Sequence, residues 1–229
     1  MPRRNKLEKF AEILSFPNVY ENYDPQAPQI VGKDGIPVEM KGNWTKNHFN
    51  NDNPLVLELA CGKGDYTLGL AERFPDKNFI GIDVKGNRIW KGASTALENK
   101  LDNAAFFRSR IEQIALFFEK EEVSEIWITF PDPFLREGKS NRRLTSPFFI
   151  NHYRKILKPG GIINLKTDSP VLYEFTLETI SADPKCGLLY HENDIYSKPL
   201  FCPELEIKTF YEKMHLEDGR LIKYVKFTI

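Results

Sequence analysis

Leu55-Val56-Leu57-Glu58-Leu59-Ala60-Cys61-Gly62-Lys63-Gly64-Asp65 is a largely apolar run that breaks into two glycines. A short apolar segment bounded by a turn reads as a buried strand, here Leu55–Ala60. Gly62 and Gly64 let the chain turn tightly and approach a ligand without a Cβ in the way. Helical spacing through Tyr66, Leu70 and Phe74 follows, ended by Pro75. Backbone N–H groups at the start of that helix, from Asp65, therefore face the turn.

The same alternation continues downstream. Asn78–Asp83 reads as a second strand, Asn87–Asn99 as a helix, Ala104–Arg108 as a third strand and Glu125–Phe130 as a fourth. Ser146-Pro147 supplies a capping hydroxyl and a first-turn proline for a helix running to Leu157, stopped by Lys158-Pro159-Gly160-Gly161. Ile162–Thr167 is a fifth strand, and Ser169-Pro170 opens a helix to about Ile180. Strands alternating with helices imply an α/β fold with a parallel sheet covered on both faces. At the end, Glu206–Leu216 and Arg220–Ile229 read as two β-runs joined by a hairpin turn at Glu217-Asp218-Gly219. Residues 1–50, with Pro17, Pro25, Pro28 and Pro37, read as a polar arm with a short helix near Lys6–Leu14, leaving 51–229 as the domain.

Length and composition fit this. The 229 residues are 41% hydrophobic, enough for one α/β domain with a core. No apolar run reaches the length of a membrane span, and no apolar stretch follows the charged start, so a cytoplasmic chain with no membrane partner is expected. Cys61, Cys186 and Cys202 are odd in number and lack metal-ligand spacing, so reduced thiols and no metal site are expected. The 32 basic and 32 acidic residues cancel, unlike a general nucleic-acid binder. Charge is uneven, however. Residues 136–143 carry Arg136, Lys139, Arg142 and Arg143 against Glu137, and residues 1–9 carry Arg3, Arg4, Lys6 and Lys9 against Glu8. A solvated face is the ordinary reading of such a cluster; an electrostatic contact to phosphates is the other.

The glycine turn is not a dinucleotide fingerprint, because Thr67 occupies the third glycine position and Asp65 would repel a pyrophosphate. Glu58 suits the amino group of an amino-acid ligand. Asp83, 19 residues after Gly64 at a strand end, can accept from both hydroxyls of a ribose. A ribose site without a pyrophosphate site points to S-adenosylmethionine. A second segment, Phe130-Pro131-Asp132-Pro133-Phe134, puts an acid at the carboxyl end of the fourth strand, where open α/β sheets bind ligands. Its prolines imply a stiff, extended backbone, and its aromatic rings could stack on a base. The single proline after the acid departs from the Asp/Asn-Pro-Pro-aromatic turn of amino-group methyltransferases.

With these blocks in order, the chain resembles the bacterial tRNA (guanine-N7)-methyltransferases over roughly residues 55–225. The resemblance is carried by Glu58–Gly64, Phe130–Phe134, Arg142-Arg143-Leu144-Thr145-Ser146-Pro147, Lys158–Gly161, Lys166-Thr167-Asp168 and Thr209-Phe210-Tyr211-Glu212. It implies a Rossmann-like class I methyltransferase fold, a mostly parallel seven-stranded sheet with a C-terminal antiparallel hairpin. It implies methylation of N7 of a guanine in tRNA, usually guanine 46 of the variable loop, by a monomer or homodimer with no obligatory protein partner. Glu58, Gly62, Gly64 and Asp83 would bind S-adenosylmethionine, with Arg110 and Ile111 near its adenine. Asp132 would be the catalytic acid and touch the cofactor. Arg136, Lys139, Arg142, Arg143, Asp168, Thr209, Phe210, Tyr211 and Glu212 would hold the substrate. Three positions depart from the family: Ala60 replaces a glycine, Phe134 replaces a tryptophan, and Arg110-Ile111 replaces an Asp-Ala pair. An arginine cannot accept from an adenine amino group, so backbone contacts are expected there.

Alternatives are a class I methyltransferase with another RNA or small-molecule acceptor, a nicotinamide-dependent oxidoreductase using Asp83, and an RNA-binding module with a dead cofactor site. His48, His152, His191 and His215 are isolated and receive no catalytic role. Cys61 reads as packing, and Trp44, Trp90 and Trp127 as core or interface anchors.

Overall fold

Strands rich in Val, Ile, Leu and Phe end at the turns that carry the chemistry. The computed structural model describes residues 5–22 and 24–229, and the chain divides into two compact units, Met1–Glu119 and Lys120–Ile229. Arg3 and Arg4 of the first basic cluster lie outside the described residues.

The first unit runs through α1 (Lys6–Ile13), β1 (Val19–Glu21), β2 (Leu55–Leu59), α2 (Asp65–Arg73), β3 (Asn78–Asp83), α3 (Gly86–Glu98), β4 (Ala104–Arg108) and a short α4 (Ile114–Phe117). Asn5 starts α1 through a reciprocal cap with Glu8. The strands lie in the order β1-β4-β3-β2, every pair parallel. Buried residues on both faces, such as Leu57, Ile80 and Phe106, are what a parallel sheet between helices requires. The segment read as a polar arm adds β1, bringing the described strands to eight rather than seven. Its Glu21 carboxylate pairs with Arg108 of β4 at 2.9 Å. Trp44 is fully buried, donates its indole N–H to the Phe117 carbonyl at 3.0 Å and stacks on Phe118.

The second unit contains β5 (Val123–Thr129), α5 (Pro147–Tyr153), β6 (Leu157–Thr167), α6 (Pro170–Ala182), β7 (Gly187–Glu192), α7 (Phe210–Glu217) and β8 (Lys223–Thr228). Its order is β5-β6-β8-β7, with β5 and β6 parallel and β8 antiparallel to both β6 and β7. The antiparallel C-terminal end is present, but its other strand is β7, not 206–216. Residues 210–217 are helical because Thr209 caps the helix, accepting from the Glu212 N–H. Asp218-Gly219, the expected hairpin turn, is the helix stop. Gly219 has φ +72, its N–H reaches the Leu216 carbonyl, and the Arg220 N–H reaches His215, the two bonds of a Schellman end.

Two further expectations shift. The helix after Ser146 ends at Tyr153, and β6 begins at Leu157. Pairing jumps from Val123–Leu157 to Glu125–Ile162, so Lys158–Gly161 bulges from the strand instead of preceding it. The Ser146 hydroxyl does not cap its helix; it donates to the Asn141 carbonyl. Ser169 does cap α6, accepting from the Leu172 N–H. Among the described residues no helix is long and apolar enough to cross a membrane.

Candidate active site

In the first unit the glycine loop is tied to two buried carboxylates. Glu58 accepts from the Thr67 backbone N–H at 2.8 Å and from its hydroxyl, anchoring the first turn of α2 to β2. The residue that breaks the dinucleotide pattern is therefore the partner that fixes the acid. Asp83 accepts from the Gly62 N–H at 3.0 Å and, with its other oxygen, from the Lys85 N–H at 2.8 Å. Each oxygen keeps a second lone pair for a hydroxyl donor.

Gly62 and Gly64 both have positive φ. A Cβ at Gly64 would stand 2.5 Å from the Phe106 ring, whereas one at Gly62 would meet nothing within 4 Å. Gly64 is thus fixed by packing, and Gly62 borders open space where a ligand can lie against backbone. Gly92, absent from the sequence reading, is equally constrained: a Cβ there would approach the Lys63 carbonyl to 2.6 Å. Ala60, just before the glycine turn, is itself at φ +58, the left-handed region that disfavours a side chain.

A cavity of about 280 Å³ opens beside β3 and β4, lined by Val84, Arg108, Ser109 and Arg110 with Asn22 and Pro25 from the N-terminal segment. Arg110 is exposed and Ile111 partly so. Cys61 is buried, and burial together with the Glu58 and Asp83 charges pushes its thiol well above the ordinary range. It remains protonated, as the packing role requires.

In the second unit Asp132 is exposed, and its carboxylate accepts from the Phe134 N–H at 2.9 Å. The segment is not simply extended. Phe130 has φ +48 and Phe134 φ +42, so both aromatic flanks hold a strained conformation of the sort that concentrates at functional sites. Arg136, Lys139 and Arg142 are exposed, with the Arg142 guanidinium 4.8 Å from the Phe134 ring centroid. Arg143 differs. It is 5% exposed, and its Nε and Nη2 donate to the Pro133 and Phe134 carbonyls at 3.0 and 3.1 Å.

Asp168 pairs with Arg220 at 2.7 Å and lies 3.7 Å from the His215 ring nitrogen. The His215 ring in turn sits 5.7 Å from that of Phe130. Neither Arg220 nor His215 was marked by the sequence, because the turn of α7 brings them there. Thr209 and Glu212 are buried, whereas Phe210 and Tyr211 are exposed. Glu212 pairs with Lys166 at 2.8 Å with both side chains fully buried. The Lys166 ammonium also donates to the Leu205 and Ile207 carbonyls, each at 3.0 Å. Burial lowers its pKa against the opposing pull of Glu212. Among the described residues no group of His, Cys, Asp and Glu could hold a metal ion.

These features define a methyltransferase of the α/β class, and residues 52–224 match the family described as "Putative methyltransferase". Within it, the chain belongs to the tRNA (guanine-N(7)-)-methyltransferase family. It is 47% identical over 99% of its length to the enzyme of that name from Bacteroides thetaiotaomicron, covering 86% of that protein. It is 46% identical to the one from Christiangramia forsetii, with both chains covered in full. The fold is also that of the 16S rRNA methyltransferase KamB, with a TM-score of 0.61 at 15% identity, covering 88% of this chain and 98% of that one.

Proposed function

We propose that this protein transfers a methyl group from S-adenosylmethionine to N7 of a guanine in tRNA, guanine 46 of the variable loop being the target the family resemblance implies. The observation that carries the reading is the end-to-end match to relatives bearing that name, which takes in the glycine loop, the Asp132 segment and the basic flap together. The residues present suit the donor: two buried carboxylates, a turn open at Gly62 and an adjoining cavity. Asp83 would accept from the ribose hydroxyls, Glu58 would face the amino-acid end, and the backbone at Arg110-Ile111 would border the base.

Bound S-adenosylmethionine supplies an electrophilic methyl on a sulfonium. Guanine N7 has a free lone pair at neutral pH, so no proton need be removed before attack. The protein's work is then to hold N7 in line, which can be worth about 7–11 kcal/mol, and to stabilise charge. As the methyl arrives, positive charge grows on the guanine ring. Asp132, and Asp168 once released from Arg220, would accept from the guanine N1–H and amino group, fixing the base and countering that charge. Asp132 is therefore an orienting anion rather than a proton abstractor. Exposed Arg136, Lys139 and Arg142 would contact flanking phosphates, with Phe210 and Tyr211 presenting aromatic faces. These roles describe a cytoplasmic tRNA-modifying enzyme.

The test is incubation with unmodified tRNA and methyl-labelled S-adenosylmethionine, followed by nucleoside analysis. Labelled 7-methylguanosine is expected from the wild type. Asp132→Ala should lose most turnover while cofactor affinity changes far less. Label in another nucleoside, or turnover lost only in proportion to cofactor binding, would overturn the assignment.

A further inference from the structure

Four cations occupy the flap, and one of them faces the other way. Arg136, Lys139 and Arg142 are exposed, as phosphate contacts must be, whereas Arg143 is 5% exposed. Its guanidinium lies 4.4 Å from the Phe175 ring centroid on α6, and two of its donors are spent on the Pro133 and Phe134 carbonyls. Those carbonyls follow the catalytic acid immediately. The second belongs to a residue at φ +42 whose N–H is already held by the Asp132 carboxylate.

From this geometry we infer that Arg143 is a positioning residue. It clamps the Asp132 loop from behind and holds the carboxylate at its working angle, and it does not bind tRNA phosphate. The reading depends on the function proposed above for what the loop does, but not for the clamp itself.

Three features make arginine the residue this place needs. A planar fork can reach two successive carbonyls at once, and a lysine ammonium cannot reproduce that spacing. The flat guanidinium can lie on the Phe175 face while donating in its own plane. The strain at Phe134 would relax if its carbonyl were released, because such conformations persist only where surrounding contacts over-determine them. The clamp also ties the flap to the acid. Arg143 directly follows the 3-10 turn Glu137–Arg142 that displays Lys139 and Arg142, so the height of the phosphate contacts is set from the loop that orients the base.

The test compares Arg143→Lys with Arg142→Ala. Arg143→Lys keeps the charge and removes the fork. It should lower kcat about 100-fold, the scale of an ångström of misplacement, with KM for tRNA and its salt dependence within threefold of wild type. Arg142→Ala should do the reverse, raising KM and flattening the salt dependence by about 0.7–0.9 log units. Amide hydrogen exchange in a peptide covering residues 130–136 gives a readout independent of activity: Arg143→Lys should accelerate it at least tenfold, and Arg142→Ala should not. If Arg143→Lys retains kcat, or raises KM for tRNA with exchange unchanged, Arg143 is a phosphate contact and the inference fails. A wild type that makes no 7-methylguanosine overturns the proposed function, and the exchange comparison still decides the clamp.

Discussion

Replacing Lys166 with methionine should unfold the second unit more readily than any surface change. Lys166 and Glu212 are both fully buried and meet at 2.8 Å. Tyr196 donates to the same Glu212 oxygen at 2.7 Å, and the Lys166 ammonium also satisfies the Leu205 and Ile207 carbonyls. Lys166→Met leaves a buried carboxylate with a phenol as its polar partner. Removing one member of such a pair costs about 3–5 kcal/mol, or roughly 6–20 °C at about 2–4 °C per kcal/mol for a chain of this size. Glu212→Leu alone should cost a similar amount, by stranding the ammonium. The double variant Lys166→Met/Glu212→Leu removes both charges. What remains is two carbonyls without the ammonium, at about 1–3 kcal/mol each, so the double loss falls below the sum of the singles by about 4 kcal/mol. Urea unfolding followed by circular dichroism and by fluorescence, with buried Trp127 as reporter in this unit, measures all four proteins. Additivity within about 0.5 kcal/mol, or single losses below about 1 kcal/mol, would show that the pair is not the latch joining β6 to the start of α7.

His48 should make the protein acid-sensitive. Burial lowers its pKa to about 4 from 6.5, and the Tyr20 hydroxyl meets its Nδ1 at 2.8 Å, an arrangement that suits a neutral ring. The unfolded chain therefore binds the extra proton first. Stability is full above about pH 6.5, falls as pH drops toward 4, and loses about 3 kcal/mol over that window. His48→Gln should flatten the profile, and an unchanged slope in urea titrations between those pH values would refute it. Ala60→Gly should raise the unfolding free energy by roughly 0.5–1 kcal/mol, because relief of the left-handed conformation exceeds the added chain entropy; destabilisation would contradict the observed φ. Gly92→Ala should gain nothing from helix propensity. The methyl would press on the Lys63 carbonyl, costing about 1–3 kcal/mol and lowering S-adenosylmethionine affinity in calorimetry, and a stabilised variant with intact affinity would refute the contact.

Much of the frame was legible because it follows from periodicity and punctuation. The strands at 55–59, 78–83 and 104–108 needed only apolar runs between turns, and Asp83 and the glycine loop follow from where those runs stop. What failed depended on contacts distant in sequence. Asp218-Gly219 serves a hairpin or a helix end equally well. The choice was made by Thr209 and by the burial of Glu212 against Lys166, 46 positions earlier. β1 was hidden because its three residues carry no pattern of their own and are recruited by β4 through Glu21 and Arg108.

The residue roles divide by the same logic. Arg142 and Arg143 are adjacent, identical in type and indistinguishable by charge patterning. Arg142 is exposed beside Phe134, and Arg143 is sunk between that loop and Phe175. Periodicity cannot separate them, because the 3-10 turn before them ends at Arg142 and the chain is already extended at Arg143. Glu212 gives the opposite lesson. It belongs to a block that the family resemblance assigns to substrate, yet it is closed off by Lys166 and Tyr196, while its neighbours Phe210 and Tyr211 are exposed. The buried acid fixes the helix that carries the exposed aromatic pair, the part of the block we propose for tRNA. Substitutions at Glu212 should therefore register in stability before they register in tRNA affinity, and those at Phe210 and Tyr211 in the reverse order.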